Sequence, residues 1–230
     1  MADVAVVVFP GSNCDRDAYA VFERLKRSVT FHWHDEPIRN DYKMVVLPGG
    51  FSYGDYLRAG AMAKISPAVQ SLGEFIDRGG LVLGICNGFQ ILVEAGFLPG
   101  ALVKNSSLHF QCHDVHVKVE SDKPPFLSKG TKGQVLRMPI AHSEGRYIAD
   151  EATIAALEKE GRVLLRYCGP NGELSDEFNA NGSTNAIAGI VNPKGNVFGL
   201  MPHPERCADE LLGNTDGMTV FRSIDSYLFL

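Results

Sequence analysis

The sequence predicts an α/β fold, a mostly parallel sheet with helices on both faces, and three observations lead to it. In the first hundred residues, short apolar runs alternate with segments whose apolar residues recur at helical spacing. The apolar runs are unbroken, which is typical of strands buried on both faces of a parallel sheet. Later, residues 113–119 alternate between apolar and polar types, so we expect an antiparallel excursion in the second half.

Four strands and three helices are predicted in the first half. The strands are residues 3–9, Val29–Trp33, Met44–Leu47 and Leu81–Ile85. The helices are Asp15–Arg27, Pro67–Ile76 and Gly88–Ala95. We expect Asn13 or Asp15 to cap the first helix. The other two helices are expected to end at glycines, Gly79-Gly80 and Gly96.

The second half predicts further strands and one closing helix. The strands are His113–Val119, Val135–Ile140, Arg162–Cys168, Ala186–Val191 and Val197–Met201, of which the last is again fully apolar. The closing helix is Met218–Leu228. Because the sequence shows no repeat, low-complexity stretch or linker, we expect a single domain over residues 1–230.

Composition narrows the class of function. The chain has 230 residues, 45% of them hydrophobic, and a formal net charge of −5 without a block of Lys or Arg. Nucleic-acid and membrane-surface partners usually require a basic patch, so neither is expected. The apolar N-terminal stretch has no basic segment before it and reads as a strand, and no apolar run is long enough to cross a bilayer.

The cysteines favour a reducing compartment. Their number is odd, their spacing is wide and no C-x-x-C occurs, which argues against a disulfide framework and a zinc ribbon. The five are Cys14, Cys86, Cys112, Cys168 and Cys207. We therefore expect a cytoplasmic protein.

One of these cysteines lies in a pattern that carries chemistry. Residues Gly84–Gly88 read G-x-C-x-G at a predicted strand-to-helix junction, the thiol version of a nucleophile elbow. The glycines allow strand and helix to approach closely, and the thiol would project at the carboxyl end of the sheet. A helix N-terminus also favours the thiolate form. On this motif alone, a core cysteine remains an equal alternative for Cys86.

A base for this thiol is predicted near the end of the chain. His203 follows an apolar strand, and Pro204 keeps it out of the helical region. In an extended segment residues i and i+2 point the same way, so Glu205 would orient the His203 imidazole and stabilise its charge. The alternative is a solvated His-Pro-Glu turn.

Oxyanion donors are predicted from two places. Val45–Asp55 contains glycines directly after a predicted strand, where backbone N–H groups can face a ligand. Acyl transfer needs such donors, each worth roughly 3 kcal/mol of barrier. The candidate pair is the N–H of Gly50 and the N–H of Asn87, next to the nucleophile. A plain tight turn is the alternative for the glycines.

Together the motifs resemble a triad-type, class I glutamine amidotransferase domain over nearly the whole chain. The match lies in Pro48-Gly49-Gly50, Gly84–Gln90 and Met201–Arg206, with the order Cys, His, Glu. Four more stretches resemble one subfamily, the glutaminase subunit of phosphoribosylformylglycinamidine synthase in its small-subunit form. They are Phe9–Asp15, Gly49–Ala61, Asn105–Ser107 and Ala141–Gly145. The implied fold is flavodoxin-like.

The resemblance implies a reaction and its residues. Cys86 would attack the side-chain amide of glutamine and form a glutamyl thioester, with His203 as general acid and base and Glu205 holding it. Gln90, one helical turn after the nucleophile, would face the substrate. Further candidates for gripping the substrate are Gly49, Asn105, Ser107 and His142.

The resemblance also implies partners. The chain contains no G-x-x-x-x-G-K-[ST] sequence and has no room for an ATP-binding domain. ATP and Mg would therefore be used by a separate synthetase subunit, which would receive ammonia from this chain and act on formylglycinamide ribonucleotide. A small accessory subunit is expected as well. The chain itself is expected to hold no cofactor.

Other functions remain open at this point. A stand-alone cysteine hydrolase with an elbow cysteine is the main rival, although Gln90 and the His203–Glu205 pair favour the amidotransferase. The loop Phe9–Asn13 follows a strand and suggests a non-catalytic phosphate-binding module, but it has few glycines. A silent regulatory relative is the third possibility. His109–His116 holds three His and one Cys, yet on a strand His113 and His116 would face opposite ways, so no metal site is predicted.

Overall fold

The computed structural model describes residues 2–229, which divide into two compact units. The first unit runs to Leu98 and includes Asn196–Gly199, and the second holds Pro99–Gly195 and the chain from Leu200 onward. Within residues 2–229, no helix has both the length and the apolar character needed to cross a membrane.

The first unit is built on parallel strands. With strands numbered in chain order, the parallel strands are β1 (Val4–Val8), β2 (Val29–Trp33), β3 (Met44–Leu47) and β4 (Leu81–Ile85), and β11 (Val197–Leu200) lies beside β4 with its first three residues in this unit. The spatial order is β2-β1-β3-β4-β11, and the β1–β2, β1–β3 and β3–β4 pairs are parallel. Every residue of β3 and β4 is buried, which explains their unbroken apolar sequences.

Three helices belong to the first unit: α1 (Asp15–Arg24), α2 (Pro67–Asp77) and α3 (Asn87–Glu94). In α1 the buried residues recur at helical spacing, as predicted: Ala18, Val21 and Phe22. The Ser66 side chain accepts a hydrogen bond from the Val69 N–H and caps α2, which has Pro67 in its first turn.

The second unit is built on antiparallel strands, as predicted. They are β5 (Ala101–Val103), β6 (Gln111–Val119), β7 (Val135–His142), β8 (Arg146–Ile148), β9 (Val163–Cys168) and β10 (Ile187–Val191). Neighbouring strands in the order β10-β9-β6-β7 are antiparallel, and β5 pairs with β8 separately. The helices of this unit are α4 (Glu151–Lys159) and α5 (Met218–Phe229).

The predicted class, a flavodoxin-like α/β fold with parallel strands first and antiparallel strands later, is confirmed. Some details differ from the prediction. The residue that caps α1 is Cys14, not Asn13 or Asp15, and no side chain accepts a capping hydrogen bond there. The Asn13 oxygen accepts a hydrogen bond from the Cys14 thiol (3.2 Å) rather than from a helix N–H, and Asp15 is already the first residue of the helix.

Two strands and one α-helix within residues 2–229 were not predicted. Strands β5 and β8 have three residues each, too few to show an alternating pattern. Helix α4 buries only Leu157, so it lacks the apolar stripe by which a helix is recognised in sequence. Its one local signal is Asp150, whose carboxylate accepts a hydrogen bond from the Thr153 N–H at 2.7 Å.

Candidate active site

The sharp turn at Cys86 connects β4 to α3 in the first unit. Cys86 has φ 50° and ψ −103°, outside the regions that L-residues favour. Holding a non-glycine residue there costs on the order of 1–3 kcal/mol, and such a conformation persists only when its surroundings fix it. The residue is 4% exposed. A strained strand-to-helix turn with a thiol at its apex is the geometry of a nucleophile elbow.

Close backbone approaches explain the two glycines of G-x-C-x-G. A Cβ on Gly84 would lie 2.7 Å from the carbonyl of Gly88, and one on Gly88 would overlap the carbonyl oxygen of Leu47. Neither position has room for a side chain, so the strand and helix can meet this closely only with glycine on both sides of the cysteine.

The glycines after β3 lie against the loop that follows β1. Gly50 has φ 145°, and a Cβ there would be 2.8 Å from the backbone nitrogen of Asn13. Ser12 and Gly50 form an isolated bridge, and the carbonyl oxygen of Gly49 accepts the hydrogen bond from Cys14. The backbone of Gly49 and Gly50 is therefore held by contacts within the first unit, which also contains Cys86 and Asn87.

Hydrogen bonds within the loop Phe9–Asn13 argue against the alternative that this loop binds phosphate. The N–H of Ser12 donates to the carbonyl oxygen of Phe9 (3.0 Å), and the N–H of Phe9 donates to Ser12 Oγ (3.1 Å). A Cβ on Gly11 would overlap the carbonyl oxygen of Phe51. Two donors of the loop are thus bound to the protein itself, which disfavours the loop as a phosphate site.

His203 and Glu205 form a buried pair in the second unit. His203 Nδ1 lies 2.6 Å from Glu205 Oε1, and the two residues are 1% and 2% exposed. His203 is not helical (φ −102°, ψ 89°), and its N–H donates to the carbonyl oxygen of Pro139. Because a carboxylate can only accept, Nδ1 carries the proton, and Nε2 of the neutral ring is then the basic nitrogen.

A second buried imidazole, His142, is held by Asn105. Asn105 is fully buried, and its oxygen accepts hydrogen bonds from His142 Nδ1 and the N–H of Gly145, both at 3.1 Å. Its amide nitrogen donates to the carbonyl oxygens of His109 and His142, both at 2.9 Å. All four hydrogen-bonding positions of the Asn105 side chain are occupied.

The environment of His142 keeps its ring neutral. His142 is 3% exposed, and among the described residues its Nε2 has no hydrogen-bond partner. Burial lowers the pKa of His142 from its ordinary 6.5 to about 4, with a further contribution from the charge of His203. The neutral ring donates from Nδ1, so Nε2 presents a lone pair.

The remaining candidates for binding the substrate are divided between the units. Gln90 lies on α3, is 5% exposed, and accepts a hydrogen bond from Asn87 Nδ2 at 2.9 Å. Ser107 is exposed, and its hydroxyl accepts hydrogen bonds from the His109 N–H and Gln111 Nε2. The structure therefore joins three pairs of candidates: Asn87–Gln90, Asn105–His142 and His203–Glu205.

Sequence reasoning missed two residues that contact the candidate oxyanion donors. The Ser52 N–H and the Asp55 carboxylate both hydrogen-bond to the Asn87 side chain. The short sequence Gly49–Asp55 stands out for its glycines, but no local pattern in it pairs Ser52 and Asp55 with a side chain 35 and 32 positions away.

A polar cavity of about 880 Å³ lies elsewhere, inside the second unit, and no candidate site residue lines it. Its lining includes Arg166, which contacts Glu158 at 2.5 Å, Glu120 at 3.4 Å and the carbonyl oxygen of Asn185 at 2.7 Å. Because these contacts engage three nitrogens of the guanidinium, the network serves to hold the surrounding backbone. We therefore place the candidate active site at Cys86, because its thiol can act as a nucleophile, and not at this cavity.

Two buried cysteines, Cys207 and Cys168, are chemically distinct from an elbow thiol. Burial raises the pKa of Cys207 to about 12 and that of Cys168 to about 11, so both stay protonated and inert at neutral pH. Cys112 is exposed on β6. In the same strand His113 is exposed and His116 is half-buried, with two residues between them.

The class of protein follows from comparison with known families. Residues 1–227 match the family model described as "CobB/CobQ-like glutamine amidotransferase domain", and the chain belongs to this family.

Individual relatives of the chain point to one group of proteins within this family. The chain is 53% identical over 224 residues to "Phosphoribosylformylglycinamidine synthase subunit PurQ" of Salinibacter ruber, covering 97% of this chain and 95% of that protein. The Thermus thermophilus protein of the same name is 55% identical over 219 residues, with 94% and 95% covered. A chain in the "Structure of PurLQS from Thermotoga maritima" has 46% identity and a TM-score of 0.86, covering 99% of this chain and 100% of that one.

Proposed function

We propose that this chain is the glutaminase subunit of phosphoribosylformylglycinamidine synthase, an enzyme of de novo purine biosynthesis. It hydrolyses glutamine and delivers ammonia to an ATP-dependent synthetase subunit, which converts formylglycinamide ribonucleotide to formylglycinamidine ribonucleotide. The observation that carries the proposal is Cys86 at a strained elbow in a chain about half identical, over nearly its full length, to subunits bearing that name.

Cys86, His203 and Glu205 divide the chemistry among them. The Cys86 thiolate attacks the side-chain amide carbon of glutamine, and the tetrahedral intermediate expels ammonia to leave a glutamyl thioester. His203, whose Nδ1–H is held by Glu205, first takes the thiol proton of Cys86 on Nε2 as the thiolate forms, and then gives that proton to the departing nitrogen. The same nitrogen then takes a proton from the water that attacks the thioester, and glutamate and the free thiol are released.

The oxyanion that forms in both steps needs preorganised donors. The N–H groups of Gly50 and Asn87 fill this role, since both belong to backbone that close packing holds in place. Asn87 is the first residue of α3, where N–H groups have no partner within the helix and the helix dipole favours negative charge.

Substrate binding falls to the candidate residues described above. Gln90 lies on the elbow helix, Gly49 in the turn after β3, and Ser107 in the loop before β6. His142 presents its Nε2 lone pair to a donor on the substrate. Because the Asn105 side chain is fully engaged, its contribution is to hold the His142 ring and the backbone of Gly145.

The synthetase and accessory subunits complete the enzyme. A relative of this chain occurs in a structure named for PurL, PurQ and PurS together, which supports a complex of the same three kinds of subunit here. ATP and Mg are used by the synthetase, and this chain needs no cofactor of its own. The complex works in the cytoplasm, and the isolated chain turns over glutamine slowly until it is assembled.

Active-site labelling tests the proposal directly. A diazo-ketone analogue of glutamine should alkylate Cys86, and glutamine should block the reaction, as mapped by mass spectrometry of the digested protein. Cys112 is a built-in control, because it is exposed and its reaction with iodoacetamide should be indifferent to glutamine. Labelling of Cys86 without protection by glutamine would favour the stand-alone cysteine hydrolase instead.

The Cys86→Ala variant separates the two half-reactions. In the assembled complex it should abolish glutamine-dependent synthesis and retain ammonia-dependent synthesis, because ammonia bypasses the thioester. Loss of both activities would assign Cys86 a structural part and contradict the proposal. An isolated wild-type chain as fast as the complex would contradict the predicted coupling to the synthetase.

A further inference from the structure

The turn Ser52–Asp55, just after the candidate oxyanion donor Gly50, is conformationally strained. Tyr53, Gly54 and Asp55 all have left-handed φ values, 54°, 65° and 53°, and only one of them is glycine. A left-handed conformation costs an L-residue roughly 1–2 kcal/mol. Two such residues in one four-residue turn need contacts from outside the turn to keep them in place.

One set of contacts comes from the loop after β1 and the end of β2. The N–H of Phe51 donates to the carbonyl oxygen of Gly11 (3.0 Å), and that of Tyr53 to Pro10 (2.6 Å). The Tyr53 hydroxyl lies 2.7 Å from His34 Nδ1. These contacts hold one side of the turn.

A second set comes from the side chain of Asn87. Asn87 is 1% exposed and follows the nucleophile directly. Its Oδ1 accepts from the Ser52 N–H at 3.1 Å. Its Nδ2 donates to Gln90 Oε1 at 2.9 Å and to Asp55 Oδ1 at 3.4 Å.

The chemistry of the partners fixes which way this carboxamide points. A backbone N–H only donates, so the end of Asn87 that faces Ser52 must be the oxygen. The other end is then the NH₂ group, which suits the Asp55 carboxylate and orients Gln90 with its oxygen inward. One buried side chain thus links the elbow helix, the strained turn and a candidate substrate contact.

We propose that the Asn87 carboxamide is a positioning residue for glutamine hydrolysis, a role that rests on the proposed function and is separate from the backbone N–H of Asn87. It holds the turn Ser52–Asp55, and through it the N–H of Gly50 two residues earlier, in register with Cys86. It also fixes the rotation of the Gln90 amide. Displacing an oxyanion donor by about 1 Å is enough to cost on the order of a hundredfold in rate.

Asn87→Asp tests this positioning role with little change in the shape of the side chain. The carboxylate still accepts from the Ser52 N–H, but it now faces the Asp55 carboxylate and the Gln90 oxygen with no donor. We expect kcat for glutamine hydrolysis by the assembled complex to fall by roughly 10- to 100-fold. KM for glutamine should change by less than kcat does, because the displaced oxyanion donor affects the transition state while the freed Gln90 amide affects substrate binding.

A second substitution should rescue the first. Adding Asp55→Asn returns a donor opposite the new carboxylate, so the double variant should recover about tenfold relative to Asn87→Asp, with Asp55→Asn alone completing the cycle. A general defect in folding would not be repaired at that position. Asn40→Asp is the matched control, since Asn40 is exposed and accepts a hydrogen bond from Arg78, and it should behave as wild type.

Each outcome decides the question. The proposed positioning role is overturned if Asn87→Asp has the wild-type kcat, or if the double variant is no faster than Asn87→Asp. If Asn87→Asp does not fold, as judged by its circular dichroism and ammonia-dependent synthesis, Asn87→Ala takes its place and must show the same loss of kcat. A wild-type complex that lacks glutamine-dependent synthesis would instead refute the proposed function, independently of Asn87.

Discussion

The two units hold their candidate catalytic groups by different means. In the first unit the backbone does the positioning: Cys86 is held at φ 50°, and Gly84 and Gly88 allow chain segments to touch. In the second unit buried side chains do it through hydrogen bonds, as in the His203–Glu205 and Asn105–His142 pairs.

This difference predicts different weaknesses. A site held mainly by backbone contacts is sensitive to any added atom and depends less on titratable groups. A site held by buried imidazoles and carboxylates tolerates changes of similar shape but depends on charge and on pH. The first unit has one exception. The polar side chain of Asn87 accepts a hydrogen bond from the Ser52 N–H and so helps to position the backbone.

The largest effect is expected at the elbow, from Gly88→Ala. The new Cβ would overlap the Leu47 carbonyl oxygen, so β3 and α3 would have to separate and carry Cys86 out of position. We expect the free energy of unfolding to fall by about 3 kcal/mol and glutamine-dependent synthesis to be lost. Urea unfolding at pH 7 and a synthesis assay measure the two effects.

Gly73→Ala is the control for this substitution. Gly73 lies inside α2, and its Cβ would meet only Phe97, at an ordinary 3.8 Å. Here alanine should raise stability by about 0.5–1 kcal/mol, because it restricts the unfolded chain. Equal urea midpoints for Gly88→Ala and wild type would show that β3 and α3 can separate without loss of stability, and would contradict the close contact between Gly88 and Leu47.

The next effect is expected in the second unit, from Glu205→Gln. Glutamine has nearly the shape of glutamate, but it does not stabilise a charged imidazole and can select the wrong tautomer of His203. We expect kcat for glutamine to fall by about 10²–10⁴-fold, with KM changed by less than about threefold. Steady-state kinetics of the complex would show this.

Glu210→Gln is the matched change at an exposed site of the same unit and should leave kcat as it is. If Glu205→Gln retained wild-type kcat, Glu205 would be a packing residue and the charge-dependent description of the second unit would fail.

Much of the first unit was predictable because its strands and glycines carry short-range signals. The predicted strands Val29–Trp33, Met44–Leu47 and Leu81–Ile85 agree with β2, β3 and β4 residue for residue. The G-x-C-x-G pattern marked the elbow for the same reason: a turn this tight admits only glycine at its flanks, and that requirement is visible in sequence.

The second unit was less predictable because its site depends on contacts between distant residues. The Asn105–His142 contact spans 37 positions, and nothing in either local sequence says that their side chains meet. Helix α4 was missed because it buries one residue. The His203–Glu205 contact was within reach of sequence reasoning, since it joins residues only two apart.

The smallest effect concerns pH and follows from His142. Its pKa is lowered to about 4 in the folded protein, from an ordinary 6.5, chiefly because the ring is buried. At pH 7 the ring is neutral in both states, so its contribution to stability is fully present. As the pH falls from 6.5 towards 4, the unfolded chain binds a proton that the folded chain refuses, and stability is lost over that window.

His142→Gln should remove this pH dependence. Between pH 7 and pH 5 the wild-type free energy of unfolding should fall by about 2 kcal/mol more than that of the variant, because a pKa difference of one between the folded and unfolded chain corresponds to about 1.4 kcal/mol. Urea titrations at the two pH values measure it, and His109→Gln, at an exposed site, should keep the wild-type slope. Equal slopes for wild type and His142→Gln would mean that the buried ring accepts a proton readily, and the description of the second unit as a charge-sensitive frame would then rest on His203 and Glu205 alone.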